Sequence, residues 1–541
     1  VAQAAIAIYG GLYFYPLAMA ILLAGLLVVP RWPSINPLPG IDKVPWYDVV
    51  LAVVTFTNLC YFVQNSDRIL EEAWEYTAPP TAIGFSVVLW ALFIEIGRRT
   101  GGWTIFWITI VWSLFPVYAD LLPDIIQGVS QDFWTTAAFH MMSVESFLGA
   151  PMQAFAALIL GFLIFGVAMQ YTGAGTFFIN IAFALTGTMK GGPAKTAVFA
   201  SGLFGSMSGS AVSNVLTTGS MTIPAMINVG FKPKVAGAIE ANASTGGTLM
   251  PPVMGATAFV MASFLGVPYA EVAIAAALPS LLYYYGLIVQ VDCYANKYNL
   301  EGIPRSQVPS IWRTLKDGWP YCMAFAVLIW MLLWLQREAT APFYATAVLL
   351  AINQFTPHKM DWAKFQKFIY GTGILFIELC GVLAPIGLMI GALTVTGMVG
   401  TLTNDLVFIA GGNTLLLLIM GAITSFILGL GLTSTACYIF LAVILAPTRE
   451  TAGLDRMAIH MYLLYWGMVS LITPPVALAA FAAAGIAKAN AWDTGMEACK
   501  LGAIIYFIPF FCVYNTALKP SGPALDMTGT LTKSLSGIHN T

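Results

Sequence analysis

The residues of this chain best suited to chemistry are small and uncharged, and they occur twice. Ser208-Gly209-Ser210 is followed by Pro224 and then by Pro251-Pro252-Val253. Gly431-Leu432-Thr433-Ser434-Thr435 is followed by Pro447 and then by Pro474-Pro475-Val476. The three pairs Pro224/Pro447, Pro251/Pro474 and Val253/Val476 all stand 223 positions apart. Serine and threonine hydroxyls, together with carbonyls released from helical bonding, make an oxygen cage for a small hard cation. Half-helix N-termini, with their unpaired N–H groups, suit an anionic group. A lone Ser-Gly-Ser or a lone proline in a membrane helix usually serves packing alone. The recurrence of the whole spaced pattern is what argues for a binding site, because duplicated helix breaks at membrane depth mark transporter sites.

The elements that must position these residues have unusual lengths. Residues 196–229 are apolar or small apart from an interruption at Ser206–Asn214. Two full crossings would need about 40 residues plus a turn, so two short arms meeting at a polar tip fit better. Lys190 and Lys195 precede this segment and Lys232 and Lys234 follow it. Lysines on both flanks place both ends on the cytoplasmic side, which makes a re-entrant hairpin. Residues 414–446 repeat the pattern around Gly429–Thr435. Their flanks, Asp405 and then Arg449, Glu450, Asp455 and Arg456, carry no positive excess. The second hairpin is therefore expected to enter from the opposite face, as in an inverted repeat. A helix with an internal break follows each hairpin. The first break is Asn242-Ala243-Ser244-Thr245-Gly246-Gly247-Thr248-Leu249-Met250-Pro251-Pro252, and the second is Ser470-Leu471-Ile472-Thr473-Pro474-Pro475. Glycine loosens a helix and proline removes a donor. The freed backbone cannot face lipid, where each unsatisfied group costs several kcal/mol.

Composition sets the wider frame. The chain has 541 residues, 59% hydrophobic and only 9% charged, against about 25% charged in soluble domains. It reads as an all-α polytopic membrane protein embedded in the lipid bilayer. A formal net charge of −2 offers nucleic acid no electrostatic footprint. The seven cysteines are scattered without metal or redox spacing, which suits small buried hydrophobes. The chain begins at Val1, so residues before it are expected to be missing. Its first apolar run, 5–29, is too long for a signal-peptide core and reads as a span. Further runs at 46–64, 81–97 and 102–119 complete an N-terminal four-span block, residues 1–135, which ends in an amphipathic interfacial helix within 119–148. A larger block covers 136–516, with repeats near 150–292 and 318–516 separated by a polar loop at 293–317. Residues 517–541 form a polar tail.

Among ionisable residues, charge at membrane depth marks function by default. Asp405 and Glu378, in the second half, and His460, which opens the second broken helix, are candidates on that ground, or else lie near span ends and touch water. Glu240 stands out, two residues before Asn242 on the first broken helix. It is a candidate proton site, or a neutralising partner for a lysine such as Lys234. No phosphate loop, metal spacing or nucleophile elbow is present, so the chain does not read as an enzyme, and no cofactor is expected. It has no ATP-binding domain, so uphill transport would draw on an ion gradient or on another chain.

At Ser208–Asn214, and again at Ser244-Thr245-Gly246-Gly247-Thr248-Leu249-Met250-Pro251-Pro252-Val253-Met254-Gly255, the chain resembles the membrane component of tripartite ATP-independent periplasmic (TRAP) transporters. The Thr-Gly-Gly-Thr-Leu-Met-Pro-Pro form is similar to the TAXI branch, in which small and large membrane subunits are fused. The resemblance covers nearly the whole chain. It implies an elevator fold of the ion-transporter superfamily in a bacterial inner membrane. It also implies an organic acid substrate, a periplasmic substrate-binding protein as partner, and sodium or protons as coupling cation. Carried over by position, the first sodium site would use Ser208, Gly209, Ser210, Thr245, Gly246, Gly247 and Met250. A second would use Gly431, Thr433 and Thr473. Substrate would meet Ser210, Ser213, Asn214, Thr433, Ser434 and Thr435 between the two tips. The second half departs from the first: Leu432 replaces Gly209, and Val469-Ser470 replaces Gly246-Gly247. A stand-alone ion-coupled dicarboxylate symporter and a gated channel are the competing readings.

Overall fold

The computed structural model describes residues 46–123, 127–356, 359–410, 413–429, 432–451 and 453–514. The expected first span at 5–29, the tail at 517–541 and Gly431 lie outside the described residues. All regular structure among the described residues is helical. The chain runs through α1 (Trp46–Gln64), α2 (Pro80–Ser113), α3 (Phe133–Met142) and α4 (Ala150–Thr172). Next come α5 (Ala174–Thr186), α6 (Gly192–Ser208), α7 (Ala211–Asn228), α8 (Pro233–Gly247), α9 (Ala256–Leu265) and α10 (Tyr269–Lys297). α11 (Ile311–Leu333) and α12 (Ala341–Asn353) lead to α13 (Trp362–Val395), α14 (Met398–Ala410), α15 (Thr414–Gly429) and α16 (Ser434–Thr451). The chain closes with α17 (Arg456–Val469), α18 (Leu478–Ala487), α19 (Ala491–Leu501) and α20 (Ile504–Tyr514). Five helical segments among the described residues are long and apolar enough to cross a membrane. The protein is an all-α, multi-pass membrane protein.

The repeat read from the prolines is present in the elements. α7 and α16 begin and end 223 positions apart, and α8 and α17 begin 223 apart. Pro224 and Pro447 lie inside their helices at matching places. Both Pro251-Pro252 and Pro474-Pro475 are cis, and each is followed three residues later by a left-handed residue, Met254 (φ 59°) and Ala477 (φ 40°).

By contacts the chain divides into two compact units, and the division does not follow the sequence blocks. The described residues of 1–160, 369–417 and 431–452 form one, and those of 161–368, 418–430 and 453–541 form the other. In the first unit, the runs expected at 81–97 and 102–119 appear as two arms of α2. Trp90 Nε1 donates to Ser113 Oγ at 3.1 Å across 23 positions, which a straight helix would separate by about 35 Å. The reversal occurs at Gly102 (φ 73°, ψ −171°), a region open essentially to glycine alone. α3 departs from the expected interfacial helix. Asp132 caps it by accepting from Trp134 N and Thr135 N, but Thr136 through Met142 are all buried. His140 explains this: its Nε2 donates to Ser113 O at 2.8 Å, and its Nδ1 stands 3.0 Å from Ser146 Oγ. An imidazole engaged at both nitrogens holds the helix inside the unit rather than on a surface.

In the second unit, α6 and α7 run antiparallel as the expected hairpin. Their 17 and 18 residues make arms of about 26 Å each, longer than the half-length arms anticipated.

Two glycines of α2 test this account of the reversal. A Cβ on either Gly84 or Gly102 would meet no atom within 4 Å, so only backbone preference distinguishes them. Gly102→Ala is expected to lose about 1–3 kcal/mol in thermal unfolding. Gly84→Ala, inside a regular helical arm, is expected to be neutral or to gain up to about 1 kcal/mol.

Candidate functional site

The site grows from a tight turn. α6 ends at Ser208, and Gly209 (φ 64°) turns the chain in the left-handed region while its N–H donates to Gly205 O at 3.1 Å. Ser210 then caps α7: its Oγ accepts from Ser213 N at 3.3 Å and its carbonyl from Asn214 N at 2.9 Å. Thr433 repeats this 223 positions on, accepting from Ala436 N at 3.4 Å and Cys437 N at 2.8 Å at the start of α16. Both hydroxyls are thus engaged as helix caps.

The hairpin tip meets the first break backbone to backbone. A Cβ on Gly205 would lie 2.8 Å from Gly247 Cα, and one on Gly209 would lie 2.7 Å from Gly255 Cα. These contacts leave no room for side chains, so the polar turn and the polar break form one surface. Met254 N, donating to Ser206 O at 3.2 Å, closes the seam.

The carbonyls around the break have partners. Thr245 O accepts from Thr248 N and Thr248 Oγ1, Gly246 O from Leu249 N, and Gly247 O from Met250 N. Tyr283 Oη donates to Asn242 O at 2.9 Å and Tyr284 Oη to Ala243 O at 2.8 Å. Thr245 Oγ1 donates back to Ala241 O at 2.8 Å. Ser208 Oγ is different: it is buried without a hydrogen-bond partner. An orphaned hydroxyl at the hairpin turn is an oxygen left open to a hard cation such as sodium. Ser210 is half-buried and Ser213 exposed, whereas Asn214 is fully buried. Asn214 was expected to meet substrate, but its Nδ2 donates to Ser201 O at 2.7 Å and its Oδ1 stands 3.2 Å from Thr218 Oγ1. Its amide faces inward and ties the two hairpin arms.

At the second break, Thr473 Oγ1 lies 2.7 Å from both Val469 O and Tyr506 Oη. Tyr465 Oη and Trp466 Nε1, on the helix leading there, are buried without partners. Sequence reasoning passed over both, since aromatic residues in a membrane helix read as packing. Thr433 is exposed, and Ser434 and Thr435 are half-buried in the first unit.

Glu240 sits among built contacts. It is fully buried. Ser201 Oγ and Thr218 Oγ1 each stand 2.6 Å from its Oε1, Thr222 Oγ1 stands 2.5 Å from its Oε2, and Ser244 Oγ is 3.2 Å from Oε1. Lys234 is not its partner; that ammonium pairs with Glu497 at 3.2 Å. The Thr218/Thr222 and Glu240/Ser244 pairs, each four apart, share helix faces, which was the available sequence signal. His460 is buried, Asp405 half-buried and Glu378 exposed in its unit. A cavity of about 450 Å³ lined by Asn180, Ser310, Arg313, Asp317 and Tyr321 lies elsewhere in the second unit and contains none of the predicted residues.

A helical hairpin, together with broken helices that recur at one offset within an all-α membrane protein, points to a transport protein, because freed backbone at that depth is tolerated only where it is buried or lines a cavity. The sequence comparisons agree. Residues 88–519 match the model of the tripartite ATP-independent periplasmic transporter DctM component, and the chain belongs to that family. It is 27% identical to the C4-dicarboxylate TRAP transporter large permease protein DctM of Pseudomonas aeruginosa, over 64% of this chain and 78% of that one. It is 26% identical to the ectoine/5-hydroxyectoine TRAP transporter large permease protein UehC of Ruegeria pomeroyi, over 71% of this chain and 90% of that one. It is 20% identical to the sialic acid TRAP transporter permease protein SiaT of Haemophilus influenzae, over 88% of this chain and 73% of that one.

The two serines of the turn have separable roles. Ser210→Ala removes a cap and is expected to lower thermal stability by about 0.5–2 kcal/mol. Ser208→Ala breaks no hydrogen bond and is expected to stay within about 0.5 kcal/mol of the parent, while weakening any stabilisation by added sodium. Equal losses of stability in the two variants would contradict the assignment.

Proposed function

We propose that this protein imports an organic acid across a bacterial inner membrane, driven by a sodium or proton gradient. Substrate arrives from a periplasmic substrate-binding protein, and the chain carries it by elevator-type alternating access. The observation that carries this reading is the backbone-to-backbone seam between the first hairpin tip and the first break, with Ser208 Oγ left open beside it. Such a seam places small oxygen donors together without charged side chains, which suits a cation that must bind and leave.

Further support comes from the relatives, whose names give a C4-dicarboxylate, an ectoine and a sialic acid as cargo. Each of these carries a carboxylate. In this reading Ser208, Gly209, Ser210 and the Thr245–Met250 segment hold one sodium ion as co-transported cargo. Thr473 contributes to a second site whose oxygen set is poorer, because its hydroxyl is already shared with Tyr506. Residues 1–135 act as the small subunit, fused to the transport subunit in the TAXI manner. No enzymatic step is involved.

The test is uptake by the purified chain in liposomes, with labelled C4-dicarboxylate, sialic acid and ectoine as probes. Sodium and proton gradients are imposed separately, with and without the cognate binding protein. The expected result is saturable uptake of one probe that needs both a gradient and the binding protein. Full uptake without the binding protein would instead make the chain a stand-alone symporter. Non-saturating flux independent of either gradient would make it a channel.

A further inference from the structure

The two repeats use one architecture but fill it differently at Glu240. The residues 223 positions beyond Thr218, Thr222 and Glu240 are Leu441, Leu445 and Leu463, all buried. Ser244 corresponds to Gly467. Helices at the same offset therefore form without this polar cluster, since leucine stands at three of its positions in the second copy. A buried carboxylate without a cation costs several kcal/mol, so its presence in the first copy calls for a use.

Among the described residues, the surroundings of Glu240 offer it no positive charge. α6 carries Lys195, which is bonded to Asp292. α7 and α18 carry no ionisable group within their spans. α19 contributes Asp493, Glu497, Cys499 and Lys500. Of these, Glu497 is held by Lys234 and Lys500, Cys499 Sγ lies against Ile472 O, and Asp493 is exposed. α10 turns Tyr283 and Tyr284 toward α8, and both hydroxyls are committed to carbonyls.

The hydrogen count favours a proton on the carboxyl, because the surrounding hydroxyls make more close oxygen contacts than they have hydrogens; Thr218 Oγ1 also stands 2.9 Å from Asn214 O and 3.2 Å from Asn214 Oδ1. Ser201 Oγ, Thr218 Oγ1 and Glu240 Oε1 form a triangle with edges of 2.6, 2.6 and 2.8 Å. Each hydroxyl supplies one hydrogen. An ionised Glu240 leaves two hydrogens for three edges, with one bare oxygen–oxygen contact. A proton on Oε1 supplies the third, and the ring closes as carboxyl to Ser201, Ser201 to Thr218 and Thr218 to carboxyl. Thr222 still donates to Oε2.

We propose that Glu240 is a proton-carrying group, neutral in this conformation, and that its proton clamps both hairpin arms to the first broken helix. Ser201 lies on α6, Thr218 and Thr222 on α7, and Ser244 on α8 with Glu240 itself. Release passes the proton from Oε1 to water and leaves a carboxylate, which the closed triangle does not accommodate. The arms must part from α8 for the proton to leave, and reprotonation from water on the other side draws them together again. Proton exchange is thereby tied to the movement of the hairpin. The transport half of this inference rests on the import reading above; the protonation half does not.

Two measurements test it. The first is infrared spectroscopy of the full chain in lipid, taken as wild type minus Glu240→Gln, and needs no substrate. A protonated-carboxyl band is expected to persist at about pH 7, whereas an exposed glutamate ionises near pH 4.3. No band at about pH 7 overturns the proposal. The second is proton-driven uptake of the C4-dicarboxylate, sialic acid and ectoine probes in liposomes with the binding protein. Glu240→Gln is expected to lose accumulation while keeping exchange of internal for external probe. The combined variant Thr218→Leu, Thr222→Leu, Glu240→Leu installs the second repeat's residues; it is expected to melt no lower than wild type and to show the same loss. Unchanged proton-driven accumulation in either variant overturns the coupling. A wild type that takes up no probe, but shows the infrared band, would count against the import reading and leave the protonation assignment standing.

Discussion

Every backbone N–H and C=O released from a helix inside an apolar environment must find another partner, and this chain releases them at both of its Pro-Pro breaks. The first break shows how the requirement is met. Tyrosines from α10 reach two carbonyls, Thr248 folds back onto a third, and short-range amides take the next two. Glycines at 205, 209, 247 and 255 bring the hairpin close enough for its own backbone to join. The rest of the second unit follows from this arrangement. α10 has to lie against α8 with adjacent tyrosines facing it, and the hairpin has to reverse at a residue free to take a positive φ. The irregular segment is over-determined on every side, which is how irregular backbone survives at depth.

Much of this was legible in the sequence because proline and glycine constrain the backbone directly. The offset of 223 found in the prolines recurs in the helix ends, in the capping bonds of Ser210 and Thr433 and in the left-handed residues Met254 and Ala477. The hairpin arms came out longer than expected because apolar composition fades before the helix does: Gly192-Pro193 opens α6 upstream of the apolar run. The segment around α3 misled for a related reason. Its mixed polarity suggests an interface, yet its polar atoms are satisfied internally through His140 and Asp132. Side-chain orientation was the least legible layer. Asn214 sits in the polar tip by sequence but turns inward, and the hydroxyls around Glu240 come from residues 201, 218 and 222, whose proximity only the tertiary packing of α6, α7 and α8 produces.

The repeats have the same frame and different contents. Where the first copy places glycines at 246 and 247, the second places Val469 and Ser470. A Cβ on Gly429 would come 2.8 Å from Ser470 Oγ, so close approach survives there with a side chain at the seam. Duplicated architecture sets where the chain bends, while the side chains that fill the bends set what each copy can bind.

The second unit holds both breaks, and several bonds cross between them. Thr248 Oγ1 reaches Met468 Sδ, Asn242 Nδ2 donates to Ala498 O, and Arg456 Nη2 donates to Phe264 O beyond the first break. These contacts weld residues more than 190 positions apart into a single piece. On the elevator reading proposed above, anything seated at one break would share its travel with anything seated at the other, and the ratio of passengers would be settled by occupancy before the stroke begins rather than by the order in which separate gates open.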